Sequence, residues 1–205
     1  MNFSSTILHE AVESISKLPG IGKKSALRIA LHLINGNLPV ASRLASSIKD
    51  LENIRFCSKC HNISDTELCD ICASHTRNKS VICVVENVRD LIAIENSQQF
   101  NGKYHVLGAL ISPMDGITPD DLNISSLIER VENDDMIEEI IMALSPNIEG
   151  ETTVYYISGQ LPERIKVSLI SRGVAFGTEL EYTDELTLGR SILTRIPYKN
   201  KQDVF

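Results

Sequence analysis

The sequence predicts a mixed α/β protein, with a helical module first, a small cysteine-rich module next and a larger α/β domain after them. Three observations carry this prediction. Apolar residues recur at helical spacing near the start of the chain, and two C-x-x-C pairs follow. Three β-branched apolar runs then alternate with helical stretches, which is the order typical of a mostly parallel sheet with crossover helices.

Composition limits the classes of protein to which the chain can belong. The chain of 205 residues is 42% hydrophobic, which allows a buried core. It has no run of eighteen apolar residues and no pattern of a secretory signal, so we expect neither a membrane span nor export. Four of its five cysteines form C-x-x-C pairs. This usage favours metal ligation in a reducing compartment over disulfides, so we expect a cytoplasmic protein.

Charge is distributed unevenly along the chain, whose formal net charge is −7. Residues 1–56 carry seven Lys/Arg against four Asp/Glu, a net of +3, and residues 57–79 are balanced. Residues 80–205 carry ten Lys/Arg against twenty Asp/Glu, a net charge of −10. A basic module on an acidic body can still hold phosphate locally, while the acidic part would repel DNA or receive a basic partner.

Three helices are predicted in the N-terminal module, over residues 4–17, 25–35 and 39–54, because apolar residues recur there every three or four positions. The sequence LPGIG at residues 18–22 separates the first two helices. Proline and glycine favour a tight turn at this point, since proline fixes one backbone angle and glycine permits angles that other residues avoid.

The turn and the helix after it form a candidate phosphate site. The free N–H groups at the helix start, with the glycine amides, would cradle one phosphate. Lys24 and Arg28 lie four positions apart and so project from one helix face. The pattern resembles the helix-hairpin-helix of DNA repair proteins, which binds phosphate without reading sequence; a helix corner with a solvated basic face is the alternative. The predicted DNA-binding residues are Gly20, Gly22, Lys23, Lys24 and Arg28.

The cysteine pairs predict a metal site. Cys57 and Cys60 form the first pair, and Cys69 and Cys72 form the second. Four thiolates suit a closed tetrahedral zinc site, and a closed shell leaves no open position for water. We therefore expect one structural Zn²⁺ per chain. The fifth cysteine, Cys83, lies in an apolar run and is expected to be a small buried residue.

The C-terminal part predicts alternating strands and helices. Strands are expected over residues 80–86, 104–111 and 138–144, with a further short strand over 173–177. Helices are expected over residues 88–96, 124–132, 152–157 and 161–171.

Carboxylates cluster near the predicted strand ends: Glu86, Asp90, Asp115, Glu149 and Glu151. Carboxyl ends of parallel strands meet at one crevice, where open α/β sheets place their sites. The arrangement resembles a Toprim domain, the Mg²⁺ module of topoisomerases and primases, in which a strand-end Glu works with an Asp-x-Asp pair.

The Asp-x-Asp pair is missing from this sequence, where Ser145 and Asn147 stand at the matching positions. Mg²⁺ prefers several anionic oxygens, and phosphoryl transfer needs the metal to neutralise developing charge. We therefore expect no cleavage, ligation or priming, and Mg²⁺ binding that is weak if it occurs. The acids Glu86, Asp90, Glu149 and Glu151 are instead predicted to form a partner-binding face.

Taken in order, the motifs resemble the bacterial RecR family over nearly the whole chain. The matching stretches are LPGIGKKSA, the four cysteines, VVENVRDLIAIE, GKYHVLGALISPMDGITPDDL, NIEGETT and LEYTDELTLGR. The resemblance implies a non-catalytic recombination mediator in DNA repair. Such proteins act with RecO, and often RecF, to load recombinase onto DNA coated by single-strand binding protein. It also implies a homo-oligomer, either a tetrameric ring or a dimer of dimers.

The resemblance also assigns roles to residues. It gives DNA contact to Lys24 and Arg28, zinc ligation to the four cysteines, and RecO contact to Glu86 and Glu149. Ala109 and Phe176 stand where glycine and a smaller residue or proline are expected, and GTELEY replaces GGDLEY. These departures concern the C-terminal assembly rather than the DNA or zinc sites.

The predicted organisation has four parts. They are a helix-hairpin-helix DNA-binding region (1–56), a four-cysteine zinc finger (57–79), a Toprim-like α/β domain with a mostly parallel sheet (80–173) and a C-terminal Walker-B-like assembly segment (174–205). Two other functions stay open. A divergent Mg²⁺-dependent Toprim nuclease or primase would show metal-dependent nicking that Glu86→Gln removes. A purely protein-binding scaffold would bind RecO but never DNA.

Overall fold

The computed structural model of the chain describes residues 4–35, 39–171, 173–174, 177, 179–193 and 195. Residue contacts divide the chain into two compact units, Met1–Arg55 and Phe56–Phe205. None of the helices in this described part is long and apolar enough to cross a membrane.

The first unit is helical. It contains α1 (Thr6–Ser16), α2 (Lys23–Asn35) and α3 (Pro39–Asp50), followed by a 3₁₀ turn (Leu51–Asn53). The buried centre is made by Val12, Ala26 and Ala30, with partly buried leucines and isoleucines around them. Two alanines on the inner face of α2 let the helices approach closely. The three predicted helices are confirmed, with ends that differ by a few residues.

The second unit is built on a parallel sheet. Its strands lie in the order β4-β3-β5-β6, and each neighbouring pair is parallel. The helices and strands that follow the 3₁₀ turn in chain order are β1 (Arg55–Phe56), β2 (Ile63–Ser64), α4 (Asp70–Ala73), β3 (Val81–Val85), α5 (Val88–Asn96), β4 (Lys103–Val106), α6 (Ile124–Glu132), β5 (Glu139–Ala143), α7 (Ile148–Ser158), β6 (Lys166–Leu169) and α8 (Glu185–Leu193).

Both faces of the sheet are buried, as expected for parallel strands flanked by helices. Because side chains alternate along a strand, Ile82 and Val84 pack on one face while Cys83 and Val85 pack on the other. The first face is completed by residues of α6 and α7, and the second by Leu91 of α5. The predicted mixed α/β fold is confirmed, and so is the burial of Cys83.

Residues 161–171, predicted to be helical, contain β6 instead, so that prediction is wrong. Val167, Ser168 and Leu169 pair in parallel with Ile140, Ile141 and Met142 of β5. This pairing joins residues far apart in sequence, and it outweighs the local helical pattern.

The strand predicted over residues 104–111 is shorter than expected and ends at Val106. Gly108 has a φ of 98°, a backbone angle that a strand does not adopt, and its N–H donates to the Glu86 carbonyl at 2.8 Å. The chain therefore turns away from the sheet there. The predicted strand over 173–177 falls partly on residues 175 and 176, which lie outside the described residues, as does Phe176; residues 173, 174 and 177 are not in a strand.

Candidate functional site

The turn before α2 has the geometry expected of a hairpin motif. Gly20 has a φ of 80°, in the left-handed region that favours glycine, and the Ile21 N–H donates to the Leu18 carbonyl at 3.1 Å. Among the described residues, apart from the neighbours in the chain, no heavy atom lies within 4 Å of the position that a Cβ would take at Gly20 or Gly22. The backbone of the turn is therefore open to a ligand, next to a helix start whose first N–H groups lack helical partners.

The three cations of this motif do not have equal surroundings. All three side chains are exposed at the start of α2. The Lys23 ammonium donates to Glu13 Oε1 at 2.6 Å, and this hydrogen bond lowers the pKa of Glu13. Within the described residues, neither Lys24 nor Arg28 forms a salt bridge. Lys24 and Arg28 are thus the cations best placed to meet a phosphate, and Lys23 is already paired.

The four cysteines converge on one point. The sulfur atoms of Cys57, Cys60, Cys69 and Cys72 lie within 4.8 Å of one another, and the Cys60 and Cys69 sulfurs are 3.5 Å apart. Zn–S bonds of about 2.3 Å in a tetrahedron place sulfurs about 3.8 Å apart, so the cluster fits zinc. Among the described residues this is the one group of three or more such side chains with metal-ligand spacing.

The protonation of the cluster follows from its crowding. A hydrogen bond from Cys60 lowers the pKa of Cys69, while the same contact and burial raise the pKa of Cys60. One thiolate is therefore stabilised by neighbouring S–H groups. A bound Zn²⁺ would replace these protons by four metal–sulfur bonds, so metal affinity falls as pH is lowered.

The zinc knuckle, defined as residues 57–74, is fixed to the outer edge of β4. The Val106 N–H donates to the Cys60 carbonyl at 2.9 Å, and Arg130 donates to the Tyr104 carbonyl at 2.8 Å. Lys103 is 6% exposed, and its ammonium donates to the carbonyls of Ile71, Cys72 and Ser74. Two backbone groups of this edge strand, the Val106 N–H and the Tyr104 carbonyl, thus have partners in the knuckle and in α6.

A second contact joins the knuckle to α6. His61, with a φ of 60°, is hydrogen bonded through Nε2 to the Ser126 hydroxyl at 2.8 Å. Its ring packs edge-on against the buried His105, whose Nε2 donates to the Asn123 carbonyl at 2.7 Å. Burial lowers the pKa of His105 to about 3, so this ring stays neutral across the physiological range.

Lys103→Met is expected to lower the free energy of unfolding by about 2 kcal/mol, because three carbonyls lose their donor while the apolar stem is kept. Chemical denaturation measures the change, and zinc release to a chelator should become faster. Lys166→Met, at an exposed position of β6, is the control and should have little effect. Equal stability of the two variants would contradict the role given to Lys103.

The predicted acidic crevice is only partly assembled. Glu86 accepts a long hydrogen bond from the Ser145 hydroxyl at 3.4 Å. Asp90 and Ser145 line one cavity of about 720 Å³ at the carboxyl ends of β5 and β6. Asp115 lines no part of that cavity and accepts a hydrogen bond from Ser112 at 2.6 Å.

Glu149 and Glu151 lie in the first turn of α7, where a helix favours negative charge. Glu151 also pairs with Arg190 of α8 at 3.0 Å, so part of its charge is offset. The Asn147 side chain accepts the Gly150 N–H at 2.8 Å and so caps α7. Of the two positions matched to Asp-x-Asp, one therefore contacts Glu86 and the other stabilises a helix start.

Lys103 and Arg130 were not identified from the sequence, although they hold the zinc knuckle in place. Each is a single basic residue in an otherwise ordinary strand or helix. The position of Lys103 at the start of an apolar strand is the one local sign that it is buried. This position does not indicate which groups its ammonium contacts.

Comparison with known proteins agrees with this arrangement. A family model described as RecR, helix-hairpin-helix, matches residues 8–51, and one described as the four-cysteine zinc finger domain of RecR matches 54–74. The Toprim domain model matches residues 80–171, and RecR, C-terminal, matches 173–196. Fold and site thus define a protein that combines a helix-hairpin-helix, a four-cysteine zinc finger and a Toprim domain.

Full-length relatives give the family. The chain is 56% identical to the recombination protein RecR of Cytophaga hutchinsonii, over 99% of this chain and 100% of that protein. It is 54% identical to the RecR of Amoebophilus asiaticus, over 97% of this chain and 100% of that protein. It is 52% identical to the RecR of Bacteroides fragilis, over 96% of each chain. The chain belongs to the RecR family of recombination proteins. The four-cysteine family model and the converged sulfurs together support zinc as the metal.

Proposed function

We propose that this protein is a non-catalytic mediator of recombinational repair that holds the DNA backbone through its hairpin motif, without reading sequence. The observation that carries the proposal is the open turn at Gly20 and Gly22, followed by Lys24 and Arg28 on one exposed face of α2. Glycine amides, a helix start and two cations are the groups that bind phosphate in sequence-independent contacts.

One hairpin would hold DNA weakly, so the proposal includes assembly into a ring-like tetramer or a dimer of dimers. Several hairpins around one DNA would then act together through effective concentration. The proposed setting is the bacterial cytoplasm, on DNA coated by single-strand binding protein. RecO, and in some pathways RecF, would be the protein partners, received by the face formed by Glu86, Asp90, Glu149 and Glu151.

The variant Lys24→Ala/Arg28→Ala tests the DNA site. Fluorescence anisotropy with labelled oligonucleotides should show about tenfold weaker binding at low salt. The slope of log affinity against log salt should become shallower by about 1.4 for single strands, because two phosphate contacts are lost.

The matched control is Arg43→Ala/Lys49→Ala, which removes the same charge from the exposed surface of α3 in the same unit. Its affinity and salt slope should stay near those of the unchanged protein. If the two double variants bind DNA equally well, the hairpin is not the binding site. Binding that appears only after RecO is added would keep the hairpin assignment and make it partner-dependent.

The second candidate, a Toprim nuclease or primase, is favoured by the position of Glu86 at the end of β3. Against it stand Ser145 and Asn147, which cannot replace two carboxylates as ligands of Mg²⁺. Incubation of DNA with the protein and Mg²⁺, followed by a denaturing gel, decides between them. Intact DNA supports the mediator, and cutting that disappears in Glu86→Gln supports the enzyme.

A further inference from the structure

A second concentration of positive charge lies in Phe56–Phe205, between the zinc knuckle and the end of α6. A cavity of about 250 Å³ opens there. Its lining includes four basic residues, Lys59, Lys79, Lys103 and Arg130, and a single carboxylate, Asp134. Two of these cations belong to residues 57–79, which have no net charge, and two belong to residues 80–205, whose net charge is −10, so the cavity is more basic than either part of the chain.

Two of the four cations form hydrogen bonds with backbone carbonyls of the protein. The three N–H donors of Lys103 are used by the carbonyls of Ile71, Cys72 and Ser74. Arg130 donates from Nη1 to the Tyr104 carbonyl. Arg130 lies near the sulfurs of Cys57, Cys60 and Cys72, and Lys103 lies near that of Cys72. Zinc held by four thiolates would carry a double negative charge. Their charges therefore offset the metal cluster.

Lys59 and Lys79 are different, because both are exposed and neither forms a salt bridge with any residue that the structure describes. Asp134 is engaged in its own turn, where it accepts the Met136 N–H at 3.2 Å.

The geometry points to a phosphate-binding site in this cavity that holds a second backbone phosphate of single-stranded DNA. Lys59 and Lys79, which line the cavity, supply the two ammonium groups that hold the phosphate. The site takes a phosphodiester by charge and hydrogen bonding and does not distinguish bases. This inference rests on the proposed DNA-binding function and adds a contact outside the helix-hairpin-helix.

The test uses full-length protein with Lys59→Ala/Lys79→Ala. The control, Arg89→Ala/Lys166→Ala, removes the same charge from exposed positions of the same unit that do not line the cavity. Single-stranded oligonucleotide binding is measured across a salt series, and thermal unfolding is followed with inorganic phosphate or with sodium chloride at equal ionic strength. Zinc content should stay near one per chain in every variant.

We expect the cavity variant to bind the oligonucleotide several-fold more weakly at low salt, with a salt slope shallower by about 0.7 to 1.4. The control should not change, and Lys59→Arg/Lys79→Arg should restore most of the affinity. Phosphate should raise the melting temperature of the unchanged protein and of the Lys24→Ala/Arg28→Ala variant, and it should raise that of the cavity variant less, because only the hairpin can still hold phosphate there.

Identical behaviour of the cavity variant and its control in both assays would overturn the inference and leave the hairpin assignment intact. Stabilisation by inorganic phosphate without any change in DNA binding would overturn the assignment to a backbone phosphate. A hairpin variant that binds DNA normally, beside a cavity variant that does not, would refute the proposed hairpin contact and uphold the cavity.

Discussion

Replacement of Cys57 by serine is expected to abolish stoichiometric zinc binding and to unfold the zinc knuckle. Cys57 is fully buried, and serine is a poor ligand for Zn²⁺. The binding energy of a structural zinc ion, about 10–16 kcal/mol at neutral pH, is folding energy for the segment that holds it. The Toprim core should survive, because its apolar clusters do not depend on the metal. Metal analysis and far-UV circular dichroism measure the two effects.

Cys83→Ala is the matched control for this prediction. Cys83 is also buried, but it lies in β3 and outside the metal cluster. That variant should keep about one zinc per chain. A Cys57→Ser protein that retains its zinc and its circular dichroism would show that three thiolates suffice, and the structural role would have to be withdrawn.

Loss of the knuckle should also affect solubility. The edge of β4 would lose the Cys60 carbonyl that accepts the Val106 N–H, and an uncovered strand edge pairs readily with other chains. We therefore expect chelator-treated protein to form aggregates, which light scattering would detect. Acidification should act in the same direction, because protons compete with zinc for the thiolates.

Gly150→Ala is expected to lower the free energy of unfolding by about 3 kcal/mol. A Cβ at Gly150 would lie 1.9 Å from the Ser145 carbonyl oxygen and 3.0 Å from Asn147 Oδ1. The first obstacle is backbone, which cannot move aside without displacing the loop between β5 and α7. The same shift would separate Ser145 from Glu86. Chemical denaturation measures the loss of stability.

Gly159→Ala gives the comparison at the other end of α7. A Cβ there meets its nearest atoms at 3.6 Å, an ordinary contact, and the residue has a right-handed helical backbone. This variant should be neutral or more stable by about 0.4–1 kcal/mol, because alanine has fewer unfolded conformations. Equal losses for the two variants would mean that the close approach at Gly150 is not what limits substitution.

Features that depend on neighbours in sequence were predicted well. The left-handed turn at Gly20 follows from a glycine next to a proline at the end of a helix, and the convergence of the cysteines follows from two C-x-x-C pairs separated by a short loop. The strands β3 and β5 follow from β-branched apolar runs. In each case the structure is determined by the chemistry of a few residues that are adjacent in sequence.

Features that depend on distant residues were predicted poorly. The pairing that makes β6 a strand is supplied by β5, and the short alternation of apolar and polar residues at 165–169 was the one local sign of it. The burial of Lys103 depends on three carbonyls of the zinc knuckle, about thirty positions earlier. The contact between Glu86 and Ser145 is an exception, because the sequence predicts that the ends of parallel strands meet at one crevice.

The strand order also constrains how the chain can fold during synthesis. The first unit is a compact body made from its own 55 residues, so it can form soon after it leaves the ribosome. The central strand β3 must wait, because Val81 pairs with Glu139, about sixty positions later. Until Glu139 has been synthesised, the apolar strand β3 is exposed with one edge unpaired. We therefore expect a nascent chain that stalls before this point to bind chaperones.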